Sequence, residues 1–397
     1  MITIKMIKYF QFKSSEKCSI YTSWKGEKFM KIKQMIAMGF LLFFVFAQLP
    51  ETKACSVFRV LAKDGTIISG RTMEFGHDMG YATIVVPRNK NFTSPAPDGI
   101  TALKWKTKFG YVACNVLGKE DGISDGLNEA GLSFSLLWYD GDMQWQPISS
   151  KDQFPALANI LFGSWVLGNF STVKEATEAI AKVKVFGIKN PELGGAILPG
   201  HFILHDAKGD CIVIEYEKGE LHIYDNPLGI MTNAPSFPWM LTNLRNYVGM
   251  NTGMLQPATF GGKTFNPTGH GSGMFGLPGD ITPPARFVRL AVMTKYADET
   301  VNAESALNLA QHIVSSLHIV RGMAVDRDKA GKIVASETTQ WSTYRDMTNR
   351  VYYFRTYDNF NLRKIDLKKL DFNAAKIKTI PMFSDKEIIV DMTQHGQ

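Results

Sequence analysis

The sequence predicts an α+β protein, with antiparallel sheets covered by helices. Three observations point there. Short β-rich runs crowd residues 56–138 and 201–232, helical patterns crowd 152–184 and 239–317, and strands return at 338–366. Strands and helices thus come in blocks, whereas a doubly wound nucleotide-binding fold alternates them one by one.

The first block opens with a hairpin. Residues 56–62 and 67–75 are β-rich runs on either side of Lys63-Asp64-Gly65-Thr66, and an Asp-Gly pair between such runs is a hairpin turn signal. Arg71 and Glu74 therefore fall on or just past the strand beside the one that begins with Cys55. Further strands are expected at 82–87, 110–117, 132–138, 201–206, 211–217, 220–224 and 229–232. Apolar residues at helical spacing predict helices over 152–167, 173–184, 239–248, 285–296 and 302–317. A meander at 338–342, 350–356 and 360–366 follows, with 369–397 wrapping up the fold. The Gly- and Pro-rich stretch 251–284 is too long for a plain connection and is expected to be a functional or assembly loop.

Domain organisation follows from the start of the chain. Lys31 and Lys33 precede an apolar run over 35–49, and Thr52-Lys53-Ala54 offers a small-x-small cleavage site. Residues 1–54 are expected to be a leader containing a secretory signal peptide whose start is Met30. Residues 55–397 then form one exported domain, periplasmic or secreted, with length enough for a full core. The formal charge of +7 is mostly the leader's, which holds nine lysines against three glutamates. The remainder is nearly neutral, which removes the electrostatic argument for a nucleic-acid partner. It has no apolar run long enough to span a membrane.

Cleavage after Ala54 would make Cys55 the first residue, with a thiol and a free α-amine together. The amine, with an unperturbed pKa of about 7.7 to 8.0, can act as base for a thiol of about 8.5. Cys114 and Cys211 lie in strand-like runs and read as buried small hydrophobes. None of the eight histidines sits in a motif that pairs with Cys55, and no spacing resembles a zinc site. No metal or cofactor is expected. A competing reading makes Cys55 the acylated tether of a lipid-anchored binding protein. That site usually carries Leu three residues earlier, where this chain has Thr52.

Five motifs in order carry a resemblance. Cys55 is followed by Gly70-Arg71-Thr72-Met73-Glu74-Phe75, then by Asp125-Gly126-Leu127-Asn128-Glu129-Ala130-Gly131-Leu132. Met231-Thr232-Asn233-Ala234-Pro235-Ser236-Phe237 and the run from Gly276 through Asp280 and Pro283-Pro284 to Ala285-Arg286-Phe287 complete the set. Together they resemble the choloylglycine hydrolase family of N-terminal-nucleophile hydrolases, which includes bile salt hydrolases and penicillin V acylases. The similarity runs from Cys55 to about Tyr357.

The resemblance implies a four-layer αββα sandwich, usually a homotetramer, that hydrolyses a small-molecule linear amide without a cofactor. It implies Cys55 as nucleophile, Arg71 as a cation beside the thiol, and Glu74, where most members have Asp, as the carboxylate that orients the amine. Asn233 matches the oxyanion donor and Arg286 the second arginine of the network. The main-chain N–H of Trp138 falls where the family has its other oxyanion donor, and its ring would shape the acyl pocket. Tryptophan here resembles the Gram-negative branch, whose substrates include penicillin V and N-acyl homoserine lactones alongside the bile salts of other members.

Overall fold

The computed structural model describes residues 54–393. The expected leader, residues 1–54, therefore lies outside the described residues except for Ala54. In chain order the strands of the two main sheets are Cys55–Leu61 (β1), Ile67–Phe75 (β2), Thr83–Val86 (β3), Tyr111–Val116 (β4), Lys119–Asn128 (β5), Ser133–Trp138 (β6) and Gly200–His205 (β7). Cys211–Glu217 (β8), Glu220–Asp225 (β9), Ala324–Arg327 (β10), Ile333–Asp346 (β11), Val351–Thr356 (β12), Asn359–Asp366 (β13) and Lys378–Ile380 (β14) complete them.

One sheet runs β1-β2-β11-β12-β13, with β10 on β11, and the other runs β9-β8-β7-β6-β5-β4-β3-β14. Their ladders are antiparallel throughout. The helices are Phe162–Asn169 (α1), Val173–Ile180 (α2), Phe237–Leu244 (α3), Pro283–Tyr296 (α4) and Ala303–Leu317 (α5). Helices α4 and α5 cover the β1–β2 side of the first sheet, α1 covers β5 and β6, and β1 meets β6 across the gap. The order of layers is αββα.

Several expectations change. The helix expected over 152–167 begins instead as the strand Ala156–Ala158 and a 3-10 turn, with α-helix only from Phe162. Pro155 favours an extended conformation in the residue before it, and 156–158 pair in parallel with Lys184–Phe186. That second strand also ends α2 at Ile180, short of the expected 184. The strand expected at 229–232 reduces to a single bridge between Met231 and Val57. Strand β5 was not anticipated, and residues 251–284 contain a small exposed hairpin, Ala258–Phe260 with Lys263–Phe265.

The β1–β2 register sets Phe58 opposite Gly70, and a Cβ on Gly70 would lie 2.5 Å from the Phe58 ring. Phe58 thus packs over a position only glycine leaves open. Gly70→Val should destabilise the fold by about 1–3 kcal/mol through overpacking. A urea midpoint equal to wild type would show that Phe58 yields without cost.

Candidate active site

Strand β1 lies at the edge of its sheet, so the main-chain groups of Cys55 that point away from β2 need partners from elsewhere. The N–H of Cys55 donates to Asn233 Oδ1 at 2.7 Å, and its C=O accepts from Arg286 Nη1. The Val57–Met231 bridge, with hydrogen bonds of 2.8 and 3.0 Å, lays the segment before Asn233 along this edge. Arg286 comes from the first turn of α4, after Pro283-Pro284, where Pro suits the start of a helix. Its guanidinium also donates to Ser56 Oγ at 2.6 Å and to Asn233 Oδ1 at 2.7 Å. Asn233 Nδ2 in turn donates to the Trp138 carbonyl at 2.8 Å. Cys55, Asn233, Arg286 and Trp138 are therefore one connected group.

Strand alternation divides the rest between two faces. Cys55 sits opposite Met73, and its Sγ lies 3.5 Å from Met73 Sδ. On that face, between the sheets, Arg71 donates to the Ser124 carbonyl, to Asp125 Oδ1 at 3.3 Å and to the Leu136 carbonyl at 2.6 Å. Phe75 packs on Trp138, with ring centroids 5.9 Å apart. On the helix-covered face the Glu74 carboxylate accepts from Thr72 Oγ1 at 3.0 Å and Thr339 Oγ1 at 2.7 Å. The Glu74 main chain meets the residue before Cys55, its N–H donating to the Ala54 carbonyl at 3.0 Å. With Ala54 still joined, the single N–H of Cys55 is taken by Asn233 and not by Glu74.

Burial pushes the Cys55 thiol above its ordinary range, and Arg71 and Arg286, which pull it down, do not reverse this. A thiol so placed holds its proton until a base takes it. Burial likewise raises the Glu74 carboxyl, to about 7, against the pull of Arg286 and the Thr339 and Thr72 donors.

The structure adds residues that the sequence did not single out. Asp125, noted only as part of a motif, accepts from Arg71, Arg345, Ser135, Thr343 and Tyr352 in the buried space between the sheets. Thr339 and Ser56 hold Glu74 and Arg286. Their signal was legible only as polar residues inside strands. Arg289, one turn beyond Arg286, donates to the Gly279 carbonyl at 3.4 Å, and Asp280 accepts from Thr282 at the entry to α4. His77 is exposed. Cys114 and Cys211 are buried free thiols. Among the described residues no group of His, Cys, Asp or Glu is placed to hold a metal, and no helix is long and apolar enough to cross a membrane.

Residues 55–380 match the linear amide C–N hydrolases of the choloylglycine hydrolase family. A bile salt hydrolase/transferase of Clostridium perfringens is 28% identical over 331 residues, which is 82% of this chain and 96% of that protein. A penicillin V acylase of Pectobacterium atrosepticum is 25% identical over 79% of this chain and 82% of its own. Among solved structures, a variant of conjugated bile acid hydrolase from Clostridium perfringens gives a TM-score of 0.74 at 26% identity, covering 85% of this chain and 100% of that one.

The Glu74 carboxyl makes stability depend on pH with a definite sign. Its folded value of about 7 lies above the ordinary 4.5, so the folded chain holds the proton longer than the unfolded chain. Its contribution is complete below about pH 4.5 and is lost as pH rises through about 7. In chain that retains Ala54, Glu74→Gln should therefore gain in Tm over wild type across that interval and hold a constant difference above it. A difference that does not vary with pH would mean that Glu74 ionises without hindrance.

Proposed function

The chain belongs to the choloylglycine hydrolase family and is a linear amide C–N hydrolase, and we propose that Cys55, released as the first residue by cleavage after Ala54, is its nucleophile. The observation that carries this reading is the grip on the Cys55 main chain. Asn233 accepts from its nitrogen while Arg286 donates to its carbonyl and to Asn233. A nitrogen held by an acceptor, beside a thiol that burial keeps protonated, suits an amine that must receive the thiol's proton.

In this mechanism Sγ attacks the amide carbonyl carbon, the π pair moves to oxygen, and the thiol proton passes to the α-amine. Asn233 Nδ2 carries two protons. One serves the Trp138 carbonyl, and the other, with the Trp138 main-chain N–H, is assigned to the oxyanion. Collapse breaks the C–N bond, the leaving nitrogen takes the proton from the α-ammonium, and a thioester remains. Water, deprotonated by the same amine, attacks the thioester, and the thiol regains its proton as the acid leaves. Arg71 and Arg286 oppose the rise in thiol pKa, and Glu74 orients and balances the ammonium.

The acyl group is assigned to the surface formed by Met73, Phe75 and Trp138, which suits a flat aromatic or fatty chain better than a hydroxylated sterol. Phenoxyacetyl amides of the penicillin V type and N-acyl homoserine lactones are thus the favoured substrates, with conjugated bile salts third. Export to the periplasm or medium accompanies the cleavage. Within 251–284, Phe260 and Phe265 on the hairpin and the strongly exposed Phe275 (90%) would be covered in a homotetramer.

Three experiments test this. The purified product should begin with unmodified Cys55 by intact mass, and Cys55→Ser should lose at least about 100-fold in kcat on the three substrate classes with its circular dichroism unchanged. A lipidated Cys55, or wild-type turnover by the serine variant, would sink the proposal. Deleting residues 257–266 should reduce the mass seen by light scattering below that of a tetramer, and an unchanged assembly would reject a part for this hairpin in it.

A further inference from the structure

His201 lies on β7 with no sequence signature around it, yet it joins the two strands of main chain that carry the proposed oxyanion donors. It is buried, and its Nε2–H donates to the Thr232 carbonyl at 2.9 Å, one residue before Asn233. A carbonyl only accepts, so the proton on Nε2 is fixed by its partner. Its Nδ1 lies 3.0 Å from Glu215 Oε1. Glu215, fully buried on β8, also accepts the N–H of Phe237 at 3.0 Å. The pair therefore grips both ends of the segment 232–237 that presents Asn233. On its other side the His201 ring stacks on Tyr139, with centroids 4.7 Å apart and planes 10° from parallel. Tyr139 follows Trp138, and Gly200 beside His201 is the ladder partner of Trp138.

We propose that His201, held by Glu215, is a positioning residue that fixes Asn233 and the Trp138 main chain relative to each other, and so sets the geometry of the oxyanion site. This deepens the reading above and rests on it. The physical reason is reach. Asn233 arrives on a segment tied to β1 by one bridge, while Trp138 ends a strand of the opposite sheet. Two donors on separate elements serve one oxygen only if something rigid sets their separation, and small displacements there are costly in rate. Thr232 Oγ1 adds a bond to the Pro283 carbonyl at 3.0 Å, which ties the same segment to the start of α4. The His201 bonds and stacking contact run to Glu215, Thr232 and Tyr139.

The test separates oxyanion geometry from general damage. The double variant H201F/E215Q keeps a ring against Tyr139, removes the donor to Thr232 and leaves no unpaired carboxylate in the interior. On an amide that wild type hydrolyses, its kcat should fall about 10- to 100-fold, with KM changed less than about threefold. Alkylation of Cys55 by iodoacetamide forms no oxyanion, and its rate should stay within about twofold of wild type. E215Q alone still accepts from Phe237 and donates to Nδ1, so it should recover most of the lost kcat. Wild-type kcat in the double variant would overturn the proposal, as would alkylation falling in parallel with kcat. Wild type that carries a free Cys55 yet cleaves no amide would instead overturn the reading of the whole site, a result visible before any variant is made.

Discussion

The structure depends on one constraint, the unpaired outer edge of β1. An edge strand leaves every second N–H and C=O pointing away from its sheet, and buried groups of that kind must find partners. On β1 those groups belong to Val57 and Cys55. Met231 satisfies the first, and Asn233 with Arg286 satisfies the second. The site follows from this need. The loop that supplies Asn233 and the helix turn that supplies Arg286 close the edge of a sheet, and in doing so surround Cys55. Sγ faces the gap between sheets with Arg71, Met73 and Phe75, while Glu74 lies on the helix side with Ser56 and Arg286.

A second constraint holds the two sheets in register. Asp125 on β5 receives Arg71 from β2, Arg345 and Thr343 from β11, Tyr352 from β12 and Ser135 from β6. A buried carboxylate is tolerable only with its charge and lone pairs satisfied, and removing one partner of such a cluster costs about 3–5 kcal/mol. The cluster also fixes the aim of Arg71. Its guanidinium is committed to Asp125, Ser124 and Leu136, so its effect on Cys55 is that of a fixed charge at a distance, weaker than the burial that opposes it.

These two constraints explain what the sequence made legible. The Asp64-Gly65 turn and the alternation beyond it placed Arg71 and Glu74 correctly beside Cys55, because a hairpin is local and its register follows from its turn. The motifs around Asn233 and Arg286 were readable as a set. The strand Lys119–Asn128 was not, since its Lys, Glu, Asp and Gly residues are poor strand formers and it is held by neighbours on both sides. Asp125 and His201 were opaque for a related reason. Asp125 stood only in a motif, on a strand the pattern did not show, and His201 stood alone in one; their meaning lies in partners up to 227 positions away. The strand Ala156–Ala158 hid inside a helical pattern because its pairing partner, Lys184–Phe186, lies outside the window of any local rule.

Burial also bears on why the proposed base should be the amine of the nucleophile itself. A low-dielectric site disfavours thiolate and, for the same reason, disfavours an ammonium. In the processed chain the resting pair would then be neutral thiol and neutral amine, and no ion pair needs to exist before substrate arrives. The proton would move only as the C–S bond forms, when negative charge passes to the carbonyl oxygen and the donors from Asn233 and Trp138 meet it. At that moment Glu74, whose carboxyl burial raises to about 7, would balance the new ammonium from the opposite face of the sheet. Arg71, Arg286 and Glu74 would thus act mainly on charge that appears during reaction. That is the condition under which fixed charges lower a barrier without also stabilising the ground state.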